Sequence, residues 1–287
     1  MARSTTPVHT ISNAGRQVEA TGRAAVRGPW IEWLARFGYA ARGAVYAIVG
    51  LLAVQAAFGS RGQVTDTQGV LQVVARQSTA LLWLLAVGLL GYAVWRLLQG
   101  ALDPENKGHD PKGLVQRGAM IASGLIYGGL ALAAFRMASG ASGGEAGSGG
   151  QQGFTAELMT KPFGRWLVAL AGLGVILSGF YQISNGWSEK FRKHFKTQEM
   201  DANEQRLATQ TGKLGLIARG IVFLMSGWFL IQAALRFDPS QARGLGGALE
   251  TLAAQPYGPW LLAIVALGLI AFGAYSILLA RYRRIVF

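Results

Sequence analysis

Three arginines recur in one local pattern. "GYAARG" spans Gly38–Gly43, "GLVQRG" spans Gly113–Gly118 and "GLIARG" spans Gly215–Gly220. Each copy reads G-x-x-x-R-G and opens an apolar run. A planar guanidinium pairs well with phosphate or carboxylate, so Arg42, Arg117 and Arg219 are candidates for holding an anion or a lipid headgroup. A second reading is simpler. An arginine at the end of a spanning helix reaches back to the lipid phosphates while its stem stays in apolar surroundings. Helix-end arginines are common, which favours the second reading; the threefold recurrence keeps the first open. Gly38, Gly43, Gly113, Gly118, Gly215 and Gly220 have a separate role, because small residues let helix backbones approach closely in lipid.

Other chemistry-bearing side chains are sparse. Gln55 and Gln232 hold matching places in the first and third copies and are expected to hydrogen-bond between helices, or else to line a polar path. Arg96 in "YAVWRLLQG" has Gln182 and Ser276 as counterparts, so it reads as an unpatterned helix-end arginine. Trp95, Tyr181 and Tyr275 recur in register; aromatics near helix ends mostly pack or mark the membrane interface. Trp166 and Trp260 fit that belt at the opposite ends. The basic fourth loop carries Lys190, Arg192, Lys193 and Lys196, interleaved with Phe191 and Phe195. It reads as a positive-inside anchor, with binding of anionic lipid as the alternative.

The absences narrow the chemistry. No cysteine occurs, so there are no disulfides and no thiolate sites. His9, His109 and His194 all fall in tails or loops, no H-E-x-x-H is present, and no metal or cofactor is expected. No carboxylate falls in an apolar run, so the usual intramembrane proton and cation relays are missing. An enzyme is not expected.

The elements that position these residues follow from composition. Only 14% of the 287 residues are charged and 51% are hydrophobic, against about a quarter charged in ordinary soluble domains. A helical crossing of the hydrocarbon takes about 20 apolar residues. Six stretches qualify: Phe37–Phe58, Ala80–Leu98, Leu114–Phe135, Trp166–Gly186, Leu216–Leu235 and Trp260–Ala280. Most of the 27 Lys and Arg collect on one side if both termini lie inside. The expected location is a bacterial inner membrane with cytoplasmic termini. The net charge of +13 then points to anionic lipid rather than to nucleic acid.

Between odd and even spans lie "GVLQVVARQ" (Gly69–Gln77), "GFTAELMTK" (Gly153–Lys161) and "GALETLAAQ" (Gly247–Gln255), each a short segment outside the membrane. The even spans align from Gly88, Gly174 and Gly268. Each unit is a helix, a short interfacial helix and a returning helix. The expected fold is all-α: six transmembrane helices in a pseudo-threefold bundle of three parallel two-helix repeats. The divisions are a cytoplasmic tail over 1–33 and repeats over 34–110, 111–212 and 213–287. The Gly/Ser-rich third loop, "SGASGGEAGSGGQQG", suits a linker without packed structure.

These units, from Leu34 to Arg284, resemble an uncharacterised bacterial integral-membrane family, domain of unknown function 1206, with three tandem two-helix repeats. The resemblance implies architecture and membrane location and supplies no catalytic residues. Two functions remain open. One is a structural or accessory role among lipids and other membrane proteins, with self-association included. The other is a pore or transporter for a small neutral or anionic solute along the pseudo-threefold axis. What fills the axis separates them.

Overall fold

The computed structural model describes residues 29–59, 64–108, 110–141 and 148–284. The expected N-terminal tail lies almost wholly outside these residues, as do His9 and His109. Among the described residues are nine α-helices: α1 (Pro29–Ala57), α2 (Thr67–Gln77), α3 (Thr79–Leu102), α4 (Pro111–Ala138), α5 (Ser148–Met159), α6 (Gly164–Trp187), α7 (Ala202–Arg236), α8 (Leu245–Ala253) and α9 (Gly258–Tyr282). Six of them, α1, α3, α4, α6, α7 and α9, are long and apolar enough to cross a membrane. The short helices α2, α5 and α8 sit where the three interfacial segments were expected. One loop differs from expectation: α5 starts at Ser148, so the end of the Gly/Ser-rich stretch is helical.

Local chemistry sets the boundaries. Asp201 and Glu204 form a reciprocal capping box that starts α7 at Ala202, well ahead of its apolar run. Phe163 and Tyr257 hold left-handed backbone, both at φ 61°, in the tight turns that launch α6 and α9. The first repeat is two residues shorter there, and extended Ser78 makes the turn into α3, its hydroxyl accepting from the Leu81 N–H.

The long helices pack in a repeating order. Each returning helix lies along the opening helix of the next repeat: α3 on α4, α6 on α7 and α9 on α1. Backbones touch at these three interfaces. A Cβ on Gly43 would stand 2.8 Å from the Gly273 carbonyl oxygen, and one on Gly220 would stand 2.8 Å from that of Gly179. Such contacts accept glycine because nothing larger fits between the two backbones.

In the second repeat this position belongs to a different glycine than the motif predicts. Gly43 meets Gly273 and Ile277, and Gly220 meets Gly179 and Ile183. Counted from Gly88, the equivalent partners are Ala93 and Leu97, and the glycine that meets them is Gly124. A Cβ on Gly118 would enter open space, and one on Gly113 would meet its own loop at Lys107 and Gly108. So Gly113 and Gly118 do not serve the helix packing expected of them. The structural copy in α4 is "AMIASG", Ala119–Gly124, and Ser123 occupies the place of Arg42 and Arg219.

Among the described residues, the pseudo-threefold ring has one open seam. Within the first repeat, Gly38 lies against the Tyr92 backbone and Gly88 against Ala41; within the third, Gly215 lies against the Phe272 backbone and Gly268 against Ala218. In the second repeat the counterpart Gly174 has nothing within 4 Å. Among the described residues α4 and α6 form no comparable contact. Side-chain size accounts for this. Ala119 stands in the place of Gly38 and Gly215, where a Cβ would come within 2.5 Å of the facing backbone nitrogen. Exposed Leu177 replaces Gly91 and Ala271 on the other wall. Ala122, the counterpart of Ala41 and Ala218, is left exposed.

Candidate functional site: a layer of three arginines

The bundle has two rings of basic residues. The first is a collar at the base, where α1 begins and α9 ends. Arg36 donates from Nη1 to the carbonyls of Ala280, at 2.7 Å, and Arg281. Arg117 donates from Nε and Nη2 to the carbonyls of Gly100 and Ala101, both at 2.9 Å. Lys213 completes the collar, its ammonium 5.3 Å from the centre of the Trp187 ring at the end of α6. Arg36 and Arg117 cover the last carbonyls of the preceding returning helix, where the helix dipole is negative, whereas Lys213 stands 3.9 Å from the Glu189 carboxylate just beyond α6. Arg117 therefore belongs with Arg36 and Lys213, and the expected grouping of Arg42, Arg117 and Arg219 does not form.

The second ring lies six residues further along each helix, about 9 Å deeper at 1.5 Å per residue. Arg42 donates from Nη2 to Ser276 Oγ at 3.0 Å, from α1 to α9. Arg219 donates from Nη1 to Gln182 Oε1 at 2.5 Å, from α7 to α6. At the third interface the partners are exchanged. Arg96 on α3 donates from Nε to Ser123 Oγ on α4 at 3.3 Å. Each of the three interfaces thus carries one guanidinium and one neutral Ser or Gln. Arg96, which read as unpatterned, is the third member.

Aromatic rings interleave with these cations. The Arg42 guanidinium lies 4.8 Å from the centre of Tyr92, 4.9 Å from Phe272 and 5.1 Å from Tyr39. Arg219 lies 4.3 Å from Phe223, 5.0 Å from Phe272 and 5.4 Å from Tyr46. Phe272 is therefore flanked by both cations. A desolvated cation–π contact contributes about 2 kcal/mol. Hydroxyls add donors and acceptors: Tyr92 accepts from Arg42 Nη1, and Tyr46 accepts from Arg219 Nε at 3.0 Å. Tyr127 packs edge-on against Tyr92 at 4.6 Å.

The charge in this layer is not matched. Among the described residues neither Arg42, Arg96 nor Arg219 forms an ion pair. Arg42 is 7% exposed and its Nε has no hydrogen-bond partner. Arg96 and Arg219 are only partly buried.

Below the layer, the base is closed by the fourth loop. Phe191 and Phe195 turn inward and pack edge-on against Tyr275 at 5.4 and 5.7 Å, while Lys190, Arg192 and Lys193 stay outside. Phe195 pairs with Arg283 in an isolated antiparallel bridge. Arg283 makes an ion pair of 2.7 Å with Glu105, tying the loop after α3 to the end of α9. Burial alone would raise the Glu105 carboxyl, but Arg283 and Lys107 outweigh it and hold it down to about 2. Burial, reinforced by Arg283, pushes the His194 imidazole down to about 4.

Several expected residues stand apart. Gln55 is exposed, and neither it nor Gln232 makes a hydrogen bond among the described residues, so neither bridges helices. The bridging glutamine is Gln182. Trp95 and Tyr275 are buried, whereas Tyr181 is 62% exposed because it borders the open seam. Trp166 and Trp260 are exposed near the far ends of α6 and α9, as a belt requires.

The registers of the three repeats agree with an independent comparison. The sequence profile of a family described as Domain of Unknown Function (DUF1206) matches residues 37–103, 119–189 and 214–283. The chain belongs to this family. The second DUF1206 match begins after Arg117 and leaves the G-L-V-Q-R-G copy outside it. A relative in Bacillus subtilis (strain 168), the uncharacterized protein YxxB, is 38% identical over 259 residues, covering 89% of this chain and 92% of its own length. No solved structure matches.

Proposed function

We propose that this protein is a structural or accessory component of a bacterial inner membrane, neither a pore nor an enzyme. The observation that carries this reading is the filling of the pseudo-threefold centre. Phe272 lies between Arg42 and Arg219, Tyr46 packs on Phe272 at 4.8 Å, and Tyr92 packs on Tyr127 at 4.6 Å. Below them Phe191 and Phe195 occupy the base. A solute path through this bundle would have to displace several packed rings. We assign both termini to the cytoplasmic side, where the exposed Lys190, Arg192 and Lys193 of the fourth loop would meet anionic headgroups. The partners are then lipids and other membrane proteins, a second copy included, and not nucleic acid.

The second reading, conduction of a small neutral or anionic solute, draws on the unmatched charge of Arg42, Arg96 and Arg219. Reconstitution into liposomes separates the two. The structural reading expects chloride and phosphate release no faster than from empty liposomes. Release that exceeds that background and disappears in Arg219→Gln would overturn it. Side assignment is tested separately with single cysteines, which the cysteine-free chain allows: a cysteine at Lys193 should resist impermeant label in intact cells.

A further inference from the structure

We infer that the open seam of the second repeat holds one anionic phospholipid, its acidic headgroup drawn to Arg96 and Arg219. Among the described residues, the seam is the one place in the ring where a repeat's own two helices part. The Gly88 and Gly268 positions are covered by alanines of α1 and α7, but Gly174 is bare. An acyl chain lies naturally in such a furrow, between apolar faces of α4 and α6.

Charge selects the occupant. Arg96 is bonded to Ser123 of α4, on one side of the seam, and Arg219 to Gln182 of α6, on the other. These are the two partly exposed members of the layer; buried Arg42 lies on the interface away from the seam. Arg219 keeps Nη2 free of partners among the described residues. Ser178 of α6 occupies the place of Tyr92 and Phe272, so a small hydroxyl side chain stands where a ring fills the other two repeats. Two guanidinium groups, two serine hydroxyls and no carboxylate match a phosphate monoanion. Unpaired cations at membrane depth are costly unless they meet water, protein or a counter-charge, and a lipid phosphate supplies the last. This proposal adds a ligand to the structural reading and requires no transport.

Native mass spectrometry of the full-length protein, released from bilayers of phosphatidylglycerol and phosphatidylcholine, tests it. The wild type should retain one phosphatidylglycerol in preference to phosphatidylcholine. Arg219→Gln should weaken that retention about tenfold, the loss expected for one charge-assisted hydrogen bond. Arg117→Gln, in the collar, should leave it unchanged. Gly174→Phe keeps every arginine and fills the furrow, so it should also expel the lipid. Equal retention in wild type and folded Arg219→Gln would overturn the proposal, as would loss confined to Arg117→Gln. Displacement of the lipid by millimolar inorganic phosphate alone would do so too, because the site would then take a free anion. Liposome flux fails or succeeds independently of these outcomes.

Discussion

Arg96 Nε lies 3.3 Å from Ser123 Oγ, an arginine on a returning helix facing a serine on an opening helix. The other two interfaces carry the reverse arrangement, Arg42 facing Ser276 and Arg219 facing Gln182. Within this layer each interface carries one guanidinium group, although the second repeat has no arginine at its motif position. The exchange is possible because the two residues face each other at the interface: either can carry the cation and the other the acceptor.

Glycine substitutions report the register directly. Gly124→Ala should destabilise, because a Cβ there would stand 2.7 Å from the Leu97 side chain and 3.1 Å from the Ala93 carbonyl. Gly118→Ala should be neutral or stabilising by up to about 1 kcal/mol, since its Cβ meets nothing and alanine favours a helix interior. Thermal melting in one detergent compares the two. Equal destabilisation would restore the G-L-V-Q-R-G copy as the packing motif.

Arg117→Met should cost about 1 kcal/mol through the loss of capping at the end of α3. Part of that loss should vanish at high salt, because the collar is only partly buried. Melting temperatures at low and high ionic strength give the comparison.

Acid should loosen the base in two stages. The folded-state pKa of His194 is lowered from 6.5 to about 4. The unfolded chain therefore binds this proton first, and the stability from neutral His194 is full above 6.5 and falls as pH drops from 6.5 towards 4. Glu105 is lowered from 4.5 to about 2, so its contribution is present above 4.5 and falls between 4.5 and 2. His194→Gln should flatten the first stage of a stability–pH curve and leave the second.

Much of this was legible in the sequence. Six apolar runs, three interfacial segments and the parallel repeat follow from hydrophobic length and glycine spacing. The second repeat's register was not, because the dipeptide Arg117–Gly118 imitates Arg42–Gly43. The better signal is a pair of small residues seven apart on the packing face: Gly43 and Gly50, Gly220 and Gly227, Gly124 and Ala131. Gly118 is followed at that distance by Leu125. The open seam was also written in side-chain size, as Ala119 in place of a glycine and Leu177 in place of glycine or alanine, but only once the register was known. Gln182 was hidden because its role depends on the arginine it faces. Gln55 and Gln232 share a position in the repeat, yet that position is not an interface.

The exchanged pair is tested most directly by exchanging it back. Ser123→Arg alone sets two guanidinium groups face to face and should destabilise by about 1–3 kcal/mol, within the range for coupled contacts. Adding Arg96→Ser rebuilds the arrangement of the other two interfaces and should recover most of that loss in thermal melting. If the double variant is no more stable than Ser123→Arg alone, Arg96 and Ser123 are not a reversed copy of the Arg42–Ser276 pair, and the three-arginine layer is not a symmetric feature of the bundle.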